Sequence, residues 1–135
     1  MNAVRVSADE LNRISEVVIG SAIAVHKALG PGLLESAYEA CLEFELMDRG
    51  LFVQRQLGLP LQYRSVKVDA GYKLDLLVEQ AVIVELKSVE KLERIHEAQL
   101  LTYLKLSGLH LGLLMNFNSV KLMDGMKRVV HQFPY

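Results

Sequence analysis

The stretch YKLDLLVEQAVIVELKS, residues 72–88, constrains the fold of this chain more than any other. Two arms rich in Val, Leu and Ile flank Glu79-Gln80-Ala81, the pattern of a β-hairpin. Strands this apolar on both faces belong in the middle of a sheet that is covered on both sides. Three charged residues interrupt the arms: Asp75 on the first, Glu85 and Lys87 on the second. Side chains alternate along a strand, so Glu85 and Lys87 share a face. Asp75 joins them only if the turn holds an odd number of residues. A three-residue loop, Glu79 to Ala81, pairs Val78 with Val82 and therefore Asp75 with Glu85; a two-residue turn at Glu79-Gln80 sends Asp75 to the other side.

Facing carboxylates repel, and buried charges require partners. A divalent cation between Asp75 and Glu85 relieves the repulsion. Magnesium suits carboxylate and carbonyl oxygens and keeps several waters, one of which can serve as a nucleophile. Lys87 can then position that water or stabilise charge in the transition state. The plainer alternative is an ordinary lysine–carboxylate pair at a strand end, and the D…ExK spacing alone does not choose between the two.

The rest of the chain supplies the layers such a hairpin needs. Ser7 with Glu10 three residues later is a capping-box pattern, and Leu11, Ile14, Val18, Ala22, Val25 and Leu29 form one apolar helical stripe. Gly30-Pro31-Gly32 ends that helix. A second is expected over residues 33–49, burying Leu34, Tyr38, Cys41, Leu42 and Leu46. Residues 52–63 read as β, with Gly58 and Pro60 marking a bulge or an edge. Residues 66–68 form a short strand before a turn at Asp69-Ala70-Gly71. A third helix is expected over 92–106, burying Ile95, Leu100, Tyr103 and Leu104, and then an apolar strand over 109–117. Residues 120–123 and 126–130 flank Asp124-Gly125 as a hairpin. This order predicts an α/β or α+β sandwich, a central mixed β-sheet flanked by helices, with residues 1–135 forming one domain.

Composition narrows the function classes. Hydrophobic residues make up 51% and charged residues 23% of the chain, enough for an ordinary core and against disorder. Cys41 is the only cysteine, so there is neither an internal disulfide nor a thiolate cluster for zinc. With neither a signal-like start nor an apolar run of membrane length, the expected compartment is the cytoplasm. A net charge of −1 argues against holding nucleic acid by charge alone. Acidic residues dominate residues 1–48, but Arg49, Arg55, Arg64, Lys67 and Lys73 follow. They form either a local basic surface or, more simply, scattered solvated cations.

Among other candidates, Gln99 and Tyr103 share one face of the third helix at i and i+4. Glu35, Glu39 and Glu43 stack on the second helix, either as a solvated acidic stripe or with one of them serving the site. Tyr38 and Tyr103 read as core aromatics with hydrogen-bonded hydroxyls. His26 reads as a partner of carbonyls at its helix end, with a role near the site as the alternative.

Asp75-x9-Glu85-x-Lys87 on consecutive apolar strands resembles the PD-(D/E)XK nuclease superfamily, although Leu74 stands where its name has proline. Gln99-x-x-x-Tyr103 looks like the Gln-x-x-x-Tyr motif of its exonuclease-like branch. Gly32-Leu-Leu-Glu35-Ser-Ala-Tyr38 is similar to the signature of the GxxExxY proteins, and the resemblance runs over roughly residues 10–130. It implies a restriction-endonuclease-like core. It also implies Mg²⁺ or Mn²⁺ held by Asp75, Glu85, the Leu86 carbonyl and Glu35, with Glu39 as a rival to Glu35. Lys87 would be catalytic and Gln99 would steady the site. The implied partner is DNA or RNA, with a homodimer or a targeting partner to complete the grip. A catalytically inactive module that binds nucleic acid or protein is the alternative.

Overall fold

The computed structural model describes residues 6–135. Its first helix, α1 (Ala8–Leu29), is capped by Ser7, whose Oγ accepts the Glu10 N–H at 3.2 Å. Glu10 turns to Arg13 instead of completing the box. Gly30 ends α1 at φ 71°, and its N–H still donates to the His26 carbonyl. The second helix, α2 (Glu35–Asp48), buries Tyr38, Glu39, Leu42 and Leu46.

Tyr38 is fully buried and stacks on Phe117 at 4.7 Å between ring centroids. Its hydroxyl donates to the Gly30 carbonyl at 2.6 Å and accepts the Leu33 N–H at 3.0 Å, tying the Gly-Pro-Gly turn to α2. Tyr38→Phe orphans both backbone groups. We expect it to cost about 1–3 kcal/mol, seen as a lower urea midpoint at unchanged slope; an unchanged midpoint would mean that the hydroxyl has no structural role.

Five strands form the main sheet in the order β1-β4-β5-β6-β7: β1 (Val53–Gly58), β4 (Lys73–Val78), β5 (Val82–Lys87), β6 (Leu111–Asn116) and β7 (Met126–Val130). Only β5 and β6 run parallel, and α3 (Arg94–Ser107) lies between them in sequence. Alternate residues of the same strands feed two cores. Leu76, Val78, Val82, Val84 and Leu86 meet α1 and α2, whereas Leu77 and Ile83 meet Leu100, Tyr103 and Leu104 of α3. Gly112 of β6 allows the close approach of α3, since a Cβ there would fall 2.7 Å from Leu100. The architecture is therefore a mixed sheet flanked by three helices, an α+β arrangement that agrees with the restriction-endonuclease-like core the resemblance implies. No described helix is long and apolar enough to cross a membrane.

Several local expectations need correction. Residues 52–63 do not form one strand. After β1 the chain leaves the sheet, and β2 (Leu61–Tyr63) pairs with β3 (Val66–Val68) as a separate hairpin. Residues 120–123 are not a strand either. Leu122–Gly125 is a short 3-10 helix, and β7 pairs with β6. Leu34 is 76% exposed and Ile95 70% exposed, and Cys41 is also on the surface. Leu34 precedes α2 as its N-cap, and Ile95 sits in the first turn of α3, so neither reaches a packed turn.

Candidate active site

The hairpin adopts the odd loop. Val78 pairs with Val82, and Glu79 and Gln80 both take φ 54°, which folds the three-residue connection back on itself. Regular pairing runs through Leu76 and Val84. Beyond that point side chains replace the backbone ladder. The Asp75 N–H donates to Glu85 Oε2 at 3.3 Å, and the Leu86 N–H donates to Asp75 Oδ2 at 2.9 Å. Asp75 thus meets Glu85 where the two strands stop bonding to each other.

Glu85 is only 5% exposed, and its Oε1 has no hydrogen-bond partner among the described residues. Burial, followed by the hydrogen bond and charge of Asp75, pushes its pKa up to about 10. Without a cation, a proton on Glu85 relieves the repulsion. Lys87 is half-buried and forms no ion pair with a described residue, yet its charge acts on Glu85 in the opposite sense.

A cleft of about 230 Å³ opens beside this pair, lined by Glu35, Ser36, Glu39, Gln56, Asp75 and Leu86. Both glutamates named from the sequence therefore face it, in different states. Glu35 is exposed. Glu39 is 6% exposed and fully engaged: Arg55 Nε donates to its Oε2 at 3.1 Å and Gln56 Nε2 to its Oε1 at 2.6 Å. Arg55 also approaches Glu43 at 3.7 Å, so the glutamate stripe is partly neutralised rather than merely solvated. Gln56 Nε2 makes a further bond to Asp75 Oδ1 at 3.2 Å. Neighbouring strand residues ordinarily point to opposite faces. Here Gln56 takes φ 53°, a left-handed conformation that costs a non-glycine residue about 1–2 kcal/mol. That twist lets Arg55 and Gln56 both reach Glu39.

The cleft wall brings together Asp75, Leu86, Glu35 and Glu39, with Glu85 against Asp75 and Lys87 off the wall; it adds Gln56, which sequence reasoning missed, and behind it Arg55, read from the sequence only as a surface cation. Gln99 is exposed and is not on the cleft wall. Its helix partner Tyr103 is the α3 residue that feels the site. Burial raises the pKa of its hydroxyl, and the nearby charges of Glu85, Tyr72 and Asp75 add to the effect. His26 bonds the Ser119 carbonyl at 2.8 Å, a partner from another segment rather than from its own helix end.

Among the described residues, no group of three His, Cys, Asp or Glu side chains stands ready to hold a metal ion. The donor chemistry nevertheless fits an oxygen-seeking divalent cation, because Asp75 and Glu85 meet and Glu85 Oε1 is buried without a partner. A third carboxylate, Glu39, is separated from Asp75 by one amide group.

A family model of the PD-(D/E)XK nuclease superfamily matches residues 12–129, from within α1 into β7. No curated protein and no solved structure matches the chain significantly. The matched span includes the entire central hairpin and both helical layers, and on that ground the chain belongs to the PD-(D/E)XK nuclease superfamily.

Proposed function

We propose that the protein is a Mg²⁺- or Mn²⁺-dependent phosphodiesterase acting on DNA or RNA, and that within its superfamily it is one of the GxxExxY proteins. The observation that carries this reading is the meeting of Asp75 with Glu85, where a buried carboxyl oxygen is left without a partner. Such an oxygen is costly unless something binds it. Asp75, Glu85, the Leu86 carbonyl and a glutamate of α2, Glu35 or Glu39, would hold the cation. A bound cation would supply Lewis acidity and an activated water. Lys87 would orient the attacking water and stabilise charge developing on the phosphate.

The β2–β3 hairpin supports the nucleic-acid part of the reading. It leads directly into β4, and its exposed Arg64, Lys67 and Tyr63 offer cations and a ring of the kind that single strands use. Arg64 lies over the Tyr63 ring at 5.5 Å. One domain of this size grips few nucleotides, so a second copy or a targeting partner would complete the footprint.

Calorimetric titration with Mn²⁺ tests the reading. The wild type should bind, and Asp75→Ala should lose binding by about 10-fold or more, since it removes one charged ligand. Cleavage of a panel of DNA and RNA substrates should stop on chelation. The absence of a pre-assembled triad among the described residues favours a second reading, an inactive nucleic-acid-binding module. Metal-independent binding, with no cleavage of any substrate in the panel, would decide for it.

A further inference from the structure

We infer that Gln56 is the gate of the metal cleft: its side-chain amide bridges Glu39 and Asp75, and must move aside before a cation can take its place between them. The inference rests on the metal-dependent reading above and goes beyond it by naming what controls assembly of the site.

Both hydrogens of the Gln56 amide are spent on carboxylates, at 2.6 Å on Glu39 Oε1 and 3.2 Å on Asp75 Oδ1. The amide therefore does what a cation would do, drawing together two acids that repel each other. Its nitrogen lies within hydrogen-bonding distance of both oxygens at once, in the space that a cation bridging them would need. Glu39 keeps Arg55 as its other partner, at 3.1 Å on Oε2, so releasing Gln56 leaves the carboxylate oriented rather than loose. The hold depends on an unfavourable backbone, φ 53° at a glutamine within β1. Strain of this kind persists where contacts offset its cost, and the bonds to the two carboxylates are such contacts. Gln56 is exposed, so its side chain can swing into solvent without disturbing the core. Glu39 is buried and cannot leave as easily.

The mechanism sets the sign of the mutant effects. Gln56→Gly tolerates the left-handed backbone and removes the whole side chain, the amide with it. The metal then has no competitor for that space, and Mn²⁺ should bind about tenfold tighter than to the wild type. Gln56→Glu replaces the donor with a third carboxylate. The metal-free protein should melt lower, and saturating Mn²⁺ should raise its melting temperature more than it raises that of the wild type.

Calorimetry and thermal melts with Mn²⁺ measure both effects without reference to turnover. Weaker or unchanged Mn²⁺ affinity in Gln56→Gly overturns the gate, because a ligand or a purely structural residue would give that result. If the wild type binds Mn²⁺ normally and only this comparison fails, the phosphodiesterase reading stands. If neither protein binds Mn²⁺, the gate and the metal-dependent reading both fall.

Discussion

Lys87→Ala is expected to leave the fold intact and to lower metal-dependent cleavage by about 10²–10⁴-fold, the range for losing a positioned group that handles the nucleophile's proton or charge. The side chain is half-buried at the end of β5 and holds no ion pair with a described residue, so truncating it removes little packing and orphans no partner. Stability should change by no more than about 0.5 kcal/mol, as for an ordinary surface-proximal substitution. Mn²⁺ affinity should stay close to that of the wild type, or rise slightly once a nearby positive charge is gone. Single-turnover cleavage, alongside urea unfolding of the same preparation, checks both halves. Wild-type cleavage by a folded Lys87→Ala protein would remove Lys87 from the chemistry. A collapse in stability would instead mark it as structural.

The metal-free protein is expected to lose stability as pH rises from about 5 towards 9, and Glu85→Gln is expected to abolish most of that slope. The pKa of Glu85 lies near the ordinary glutamate value of 4.5 in the unfolded chain and is raised to about 10 in the fold by burial and by Asp75. Between those values the folded state keeps a proton that the unfolded state has released. The stabilisation is thus fully present below pH 4.5 and is lost progressively as pH rises through the folded pKa. The limiting slope for one such group is about 1.4 kcal/mol per pH unit, and water entering the cleft will reduce it. Glutamine is the neutral isostere, so it keeps the shape and removes the titration. Added Mn²⁺ should flatten the slope in the wild type, because a bound cation replaces the proton, and its affinity should rise with pH for the same reason. Urea midpoints at several pH values, with and without Mn²⁺, decide the matter. An equal slope in Glu85→Gln would assign the dependence to another group.

Much of this architecture was legible from local pattern. The unbroken apolar arms on either side of Glu79-Gln80-Ala81 placed the hairpin inside the sheet, and β4 and β5 do lie there with β1 and β6 outside them. The odd loop followed from requiring Asp75 and Glu85 to meet, and the pairing of Val78 with Val82 agrees. Tyr38 was read as a core aromatic with a bonded hydroxyl, and it is one. Local pattern failed where neighbours outweighed it. Asp124-Gly125 carries a hairpin-turn signature, yet residues 122–125 wind into a 3-10 helix, and β7 finds its partner in β6. Gln99 has the expected helical spacing to Tyr103, but spacing fixes only the face of a helix, and the structure turns Gln99 to solvent.

The sequence alone determined the three helices and their place around the central hairpin, the two-sided burial of its strands, and the three ionisable positions on them. Each of these is set by side-chain periodicity and turn chemistry within a few residues. Only the tertiary structure decided which glutamate of α2 is held at the cleft and by what. The bonds from Gln56 to Glu39 and Asp75 span 17 and 19 residues, and they exist because one left-handed residue in β1 turns its side chain towards a helix packed from elsewhere in the chain. No local spacing rule reports a contact of that kind, since it depends on where two separately formed elements come to rest.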